Sequence, residues 1–271
     1  DVLSKLNKIK KVDPNPEVNK IVQHRYSEKN FLIKNNIKTT EFEKIINESD
    51  IKKNKNLLPG ILKTSTLGYD GKGQYKLKNL ADLDNHKISF DREFILEKLV
   101  NLEKEISVVI TRFSKDNYEI YEPIENLHEN QILKHSTIPA QINLSHFKKS
   151  QEWAKLISEE LQYVGTLCVE FFIDKEQNLY VNEIAPRVHN SGHLTINTYN
   201  ISQFENHIRA VCGLEKIQLE KICNAKMINI IGDEINNYRN KKYTEKEFFF
   251  DYLKKQIKPK RKMGHLTIIC H

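Results

Sequence analysis

The sequence predicts an α+β (α/β) protein with a small C-terminal β subdomain, and three observations carry that expectation. Short β-branched runs alternate with amphipathic helical stretches along the chain. No internal repeat, low-complexity linker or apolar run of the roughly 20 residues that a bilayer crossing needs interrupts them. With 271 residues, 39% of them hydrophobic, the chain has material for one large or two modest domains. It opens at Asp1 without an initiator Met or the apolar pattern of a secretory leader, which reads as a processed chain or a fragment.

The elements follow in order. Val18, Ile21, Val22, Phe31 and Leu32 share one face of a helix expected from about Glu17 to Asn35, after Pro14 and Pro16. A second short helix is expected from Thr40 to Ser49, with Phe42, Ile45 and Ile46 inward. After Pro59-Gly60, Ile61 to Lys63 is a strand, Thr64 to Gln74 a glycine loop, and Tyr75 to Leu77 a strand again. Phe94 to Val100 and Glu105 to Ile110 are buried strands that meet at a hinge-like step. Trp153, Ile157 and Leu161, four apart, mark a helix over Gln151 to Gln162. Ser202-Gln203-Phe204-Glu205 fits a capping box, and Gly213 supplies the stop. Met227 to Ile231 and Leu266 to Cys270 are extended pieces around a Lys-rich interval. The resulting units are 1–48 (helical lead-in), 49–105, 106–215 and 216–271.

The formal charge of +7 comes from 43 basic and 36 acidic residues that are interspersed, which describes a solvated surface rather than a nucleic-acid-binding face. Cys168, Cys212, Cys223 and Cys270 form no Cys-x-x-Cys pair and read as reduced thiols of a cytoplasmic protein. Neither a nucleic-acid nor a membrane partner is expected.

Two features carry chemistry. Between Lys63 and Gln74, the glycines Gly68, Gly71 and Gly73 free backbone N–H groups to wrap phosphate oxygens, and Lys63 and Lys72 add positive charge. The order matches neither the P-loop nor the dinucleotide fingerprint, and a glycine-rich turn taken alone is more often an ordinary hairpin. The second feature is a hairpin, Thr166 to Ile173 and Leu179 to Ile184, with Glu170 and Glu183 set among apolar residues. Buried carboxylates require partners, so either basic side chains or a metal ion must answer them. Glu170 and Glu183 share a face only if paired residue numbers add to an odd total, as a four-residue turn at Asp174 to Gln177 would give. With a lysine-bearing glycine loop, two such acids suit Mg²⁺, which binds through one or two carboxylates plus substrate phosphates.

The strings Gly68-Tyr69-Asp70-Gly71-Lys72-Gly73-Gln74 and Asn182-Glu183-Ile184-Ala185-Pro186-Arg187-Val188-His189-Asn190-Ser191-Gly192-His193 closely resemble those of the 5-(carboxyamino)imidazole ribonucleotide synthase family, ATP-grasp ligases of purine biosynthesis. The resemblance covers nearly the whole chain and extends to Gln23, Arg25, Lys29, Asn126 to Asn130 and Arg261 to His265. It implies an ATP-grasp fold of two α+β subdomains with the small C-terminal β subdomain. The doubly wound N-terminal domain of full family members has no counterpart in this sequence.

It also implies that ATP, bicarbonate and 5-aminoimidazole ribonucleotide are substrates, Mg²⁺ (or Mn²⁺) the metal, and a homodimer the full-length state. Lys63 and Gly68 to Gln74 would meet the phosphates. Glu97, Lys98, Leu99 and Val100 would meet the adenine edge, Glu105 the ribose hydroxyls, and Arg25 and His128 would border the pocket. Glu170 and Glu183, with Asn182 beside them, would hold the metal. Asp70, Lys72, Arg187 and His189 would be catalytic; with Tyr69 and Asn190 they would receive bicarbonate and the ribonucleotide, whose phosphate would meet Lys255 and Arg261. Asp251-Tyr252-Leu253 departs from the family's approach to its C-terminal lysine. The alternatives are a catalytically impaired nucleotide-binding fragment and another ATP-grasp carboxylate–amine ligase.

Overall fold

The structure, a computed structural model, describes residues 2–66 and 73–270. It opens with three helices, α1 (Val2–Ile9), α2 (Pro16–Val22) and α3 (Arg25–Lys34). The single helix expected over Glu17 to Asn35 is therefore two. His24 takes an extended backbone between them, and its imidazole accepts the Ser27 N–H, so a capping residue stands where helix continuation was expected.

The expectation of a helix from Thr40 to Ser49 is also corrected. Phe42–Ile45 is a strand, β1, paired antiparallel with Glu97 to Phe94. Ile45 is buried and Ile46 exposed, as alternation across a sheet demands. Asn47 then opens α4 (Glu48–Lys53) through a capping box with Asp50. The strands β2 (Gly60–Thr64) and β3 (Gln74–Leu77), the short helix α5 (Asp82–His86) and β4 (Phe94–Lys98) complete a first unit. Its four-stranded sheet runs β1-β4-β2-β3 over a core that includes Ile45, Leu62, Leu77 and Leu96.

The hinge-like step between β4 and the next strand is where the chain changes sheets. The strands β5 (Leu102–Ser114), β6 (Asn117–Ile120), β7 (Ile124–Glu129) and β8 (Ile132–Ile138) lead into α6 (Leu144–Glu160), followed by β9 (Gly165–Asp174) and β10 (Leu179–Ala185). A short 3-10 turn (Ser191–Leu194), α7 (Thr195–Thr198) and α8 (Gln203–Val211) come next. The C-terminal part holds β11 (Asn224–Ile231), α9 (Ile235–Arg239), β12 (Glu247–Asp251) and β13 (Lys262–Cys270).

Among the described residues these strands form one nine-stranded sheet in the order β10-β9-β5-β7-β8-β11-β13-β12, with β6 paired to β5. Ala154 and Ile157 of α6 and the following Leu161 pack on Val108, Ile110, Val169 and Phe171. Each fully buried aliphatic or aromatic side chain of this kind contributes about 1.5–3 kcal/mol. The C-terminal strands extend the same sheet and add a small core of Ile230, Ile235, Met263 and Leu266. Ser202 caps α8, and Gly213 follows its end at φ +66°, as expected. No helix of the described residues is long and apolar enough to cross a membrane.

Candidate active site

A cavity of about 580 Å³ lies between the two sheets. Ile61, Lys63 and Gln74 line it from the small sheet, and Leu102, Glu105 and Phe172 from the large one. Glu97, Lys98, Leu99 and Val100 form its back, where the chain crosses from sheet to sheet. Gly73, at the neck, has φ +70°, and a Cβ there would meet the Thr64 side chain at 2.9 Å, so glycine is required. Gly68, Tyr69, Asp70, Gly71 and Lys72 lie outside the described residues.

The hairpin of β9 and β10 reaches its register by an unexpected route. Near the turn, Leu179 pairs with Ile173 and Val181 with Phe171, an even total, because five residues, Asp174 to Asn178, rather than four lie between the first paired residues. Continued, this register would place Asn182 opposite Glu170 and turn Glu183 to the other face. A bulge at Asn182 shifts the pairing by one, and Glu183 pairs directly with Glu170. Both acids and Asn182 consequently face the cavity.

Each acid is held differently. Glu183 receives Arg25 Nη1 at 3.4 Å, while Glu170 Oε1 lies 3.0 Å from His189 Nε2. Burial alone would raise the Glu170 carboxyl, but the hydrogen bond and charge of His189, with His128 and Arg187 nearby, hold it at about 2. Burial disfavours charge on His189, and the Cys168 sulfur and Glu170 outweigh it, lifting the imidazole to about 10. The other ring nitrogen of His189 meets Ser191 Oγ at 2.8 Å. A buried line continues from Ser191 to Ser107, Asn126 and Ser136, with steps of 2.8, 2.8 and 2.9 Å. Glu28, buried behind Glu183, accepts the Ile184 N–H at 2.6 Å; burial first and the Glu183 charge second push it up to about 8.

On the small-sheet side of the cavity, Glu97 is 3% exposed and bridges Lys29 at 3.3 Å and Lys63 at 3.0 Å. Lys29 also donates to Thr39 Oγ1 and Thr40 Oγ1 at 2.8 and 3.0 Å. Burial would raise Glu97, but the two ammonium groups hold it at about 2. On the opposite wall Glu105 Oε2 is 2.6 Å from His128 Nδ1.

The structure thus brings Arg25, Lys63, Gln74, Glu97 to Val100, Glu105, His128, Glu170, Asn182, Glu183, Arg187, His189 and Asn190 to one cavity. Lys255 and Arg261 are not on its wall; Lys255 is exposed and Arg261 donates to Gln256 O. Lys254, rather than Lys255, turns inward, donating to Lys262 O at 2.6 Å, and Lys262 itself lines the cavity. Sequence reasoning missed the buried Glu28, the pairing of Lys29 with Glu97 and the serine line behind His189. One signal was available for the bulge: Asn182-Glu183, two polar residues in succession, breaks the period of two in β10.

The donor set fits a hard cation. Two carboxylates face each other across the strands, and the neighbouring Asn182 Oδ1 is buried with no hydrogen-bond partner among the described residues. Asn190 presents both amide atoms in the same unanswered way on the cavity wall.

Comparison with known proteins agrees with this architecture. Residues 30–204 match the ATP-grasp domain family, and residues 225–271 match the phosphoribosylaminoimidazole carboxylase C-terminal domain. The N5-carboxyaminoimidazole ribonucleotide synthase of Staphylococcus epidermidis is 36% identical over 273 residues, covering 98% of this chain and 72% of that protein. That of Bacillus subtilis is 39% identical over 214 residues, 78% of this chain and 56% of the relative. Among solved structures, an ADP complex of N5-carboxyaminoimidazole ribonucleotide synthetase superposes with a TM-score of 0.93 at 36% identity, covering 99% of this chain and 72% of that one. The Aspergillus clavatus enzyme in complex with ADP and 5-aminoimidazole ribonucleotide gives 0.91 at 26%, covering 99% and 74%. The chain belongs to the N5-carboxyaminoimidazole ribonucleotide synthase family of ATP-grasp ligases, which form a C–N bond.

Proposed function

We propose that this chain carboxylates 5-aminoimidazole ribonucleotide with bicarbonate at the expense of ATP, releasing ADP and phosphate. The observation that carries the reading is the register shift at Asn182, which sets Glu183 opposite Glu170 on the wall of a cavity lined by Lys63. The base lies against Ile61, Leu102 and Phe172, its polar edge toward the backbone of Glu97 to Val100, with Glu105 on the ribose. Glu170, Glu183 and Asn182 would hold Mg²⁺ or Mn²⁺, which would neutralise charge on the phosphate oxygens.

In the first step a bicarbonate oxygen attacks the γ-phosphorus and the bond to ADP breaks, giving carboxyphosphate. Positioning is most of the catalysis, and Lys63 and Arg187 supply it electrostatically. Arg187 holds the planar anion through paired N–H groups, a geometry lysine does not reproduce. Carboxyphosphate then loses phosphate, and the exocyclic amine of the ribonucleotide attacks the released carbon dioxide and gives up a proton to that phosphate. Asn190 answers a polar group of the ribonucleotide, and His189, held protonated against Glu170, keeps that carboxylate ionised and oriented. The intermediate hydrolyses readily, so the cavity must exclude water while it persists. Lys255 and Arg261 meet the ribonucleotide phosphate only if the C-terminal segment moves inward. A cytoplasmic setting, a homodimer of the full-length protein and the absence of nucleic-acid or membrane partners belong to the same reading.

The test is ADP release followed with and without 5-aminoimidazole ribonucleotide. Release that requires both the ribonucleotide and bicarbonate supports the proposal; release stimulated only by a different amine assigns the chain to another reaction of the same class.

A further inference from the structure

Gln203, the first residue of α8, is completely buried and does not itself line the cavity. Its side-chain amide grips the backbone of one residue from both ends. Oε1 accepts the His189 N–H at 2.9 Å, and Nε2 donates to His189 O at 2.7 Å, as a neighbouring strand would. The second Nε2 proton points to His193 Nδ1 at 3.0 Å. Both amide protons are used, so the amide has one self-consistent orientation. His189 O also accepts the Gly192 N–H at 3.1 Å, closing the turn beneath it.

The seat is built around this amide. A Cβ on Gly192 would lie 2.4 Å from Gln203 Oε1, so only glycine leaves room for it. The main chain of Gln203 is anchored too: its N–H donates to Thr195 Oγ1 at 2.9 Å, and its carbonyl accepts Thr166 Oγ1 at 3.2 Å. Thr166 lies on β9, the strand that carries Glu170. One residue, through its side chain on one side and its backbone carbonyl on the other, therefore ties the turn bearing His189 to the strand bearing the carboxylate that His189 must reach.

We propose that Gln203 is a positioning residue for catalysis, acting through His189 by fixing its backbone so that Nε2 meets Glu170 and Nδ1 meets Ser191. The inference rests on His189 serving the reaction as read above. Gln203 itself never touches substrate. Its effect is geometric: a displacement of about 1 Å at a catalytic group costs on the order of 10²-fold in rate. Gln203→Met keeps the length and removes both hydrogen bonds to His189 together with that to His193, so turnover falls while binding at the distant adenine wall does not change.

The experiment is a double-mutant cycle of Gln203→Met and His189→Ala, reading kcat and the KM for ATP separately, with circular dichroism as the check on folding. Expected for Gln203→Met alone is a kcat loss of about 10- to 100-fold with the KM for ATP within about twofold. In the His189→Ala background the same change costs less than about twofold, because its route of action is already gone. Should Gln203→Met fail to fold, Gln203→Glu replaces it; the shape and the acceptor stay, and the donor to His189 O is lost. An equal loss in both backgrounds, or no loss in either, overturns the role of Gln203. A His189→Ala enzyme that turns over at the full rate overturns instead the placing of His189 in the reaction, and the inference with it.

Discussion

Glu97 lies between two ammonium groups in the interior, and the cost of that arrangement is only repaid while all three charges are present. Replacing Glu97 by Gln leaves Lys29 and Lys63 facing each other without an anion. The expected outcome is a loss of about 3–5 kcal/mol, measured as a shift of the urea midpoint at pH 7. A loss under about 1 kcal/mol would show that the lysines find water instead. Because the folded-state carboxyl is held at about 2, its stabilisation is complete above an unfolded value of 4.5 and disappears as the pH falls from 4.5 through 2. Lys29 also shows where residue-level reading stops. As a lysine on a polar helix it has an ordinary solvated explanation, and only the strand register of β4 with β1 and β2 reveals the buried anion above it.

At the scale of elements, the turn between β10 and α8 is the most constrained. Gly192→Ala drives a methyl against Gln203 Oε1, and overpacking of this kind costs about 1–3 kcal/mol. A lowered denaturation midpoint, with a further fall in activity, is expected; an unchanged midpoint would mean that the amide swings aside freely. Elements with local signals were readable in the sequence: Ser202 and Gly213 bound α8, and apolar runs mark both strands of the acidic hairpin. Elements decided by partners were not. Phe42, Ile45 and Ile46 carry helical spacing, yet the segment is a strand because β4 offers an open edge to pair with. The odd pairing of Glu170 with Glu183 was recognised as a condition, but its cause is the bulge, a property of two strands together. The serine line behind His189 joins β5, β7, β8 and the turn, and no single stretch of sequence contains it.

For the whole molecule, stability against pH follows from groups held away from their usual protonation. Burial pushes His193 down to about 3 and His265 down to about 4. Both stay neutral in the folded chain while the unfolded chain protonates them below about 6.5, so their contribution is intact above 6.5 and is lost as the pH falls toward 4. Each histidine adds a slope of about 1.4 kcal/mol per pH unit once the difference is one full proton. Glu28 opposes them, since its raised carboxyl lets the folded chain take up a proton between about 8 and 4.5, and His189 loses its stabilising contribution as the pH rises from 6.5 through 10. Stability should therefore decline on both sides of neutrality. His265→Phe is expected to flatten the acid limb between pH 6 and 4.5 in urea titrations, and an unaltered limb would assign the acid sensitivity to other groups.

The bulged hairpin sets two carboxylates opposite one another, and the proposed function has them hold the cation of a nucleotide substrate. The most direct measurement is ribonucleotide-dependent ADP formation by Glu183→Gln, a substitution of equal shape that removes one anionic ligand. The predicted result is no ADP above background with an unchanged circular dichroism spectrum. Turnover at the wild-type rate would contradict it.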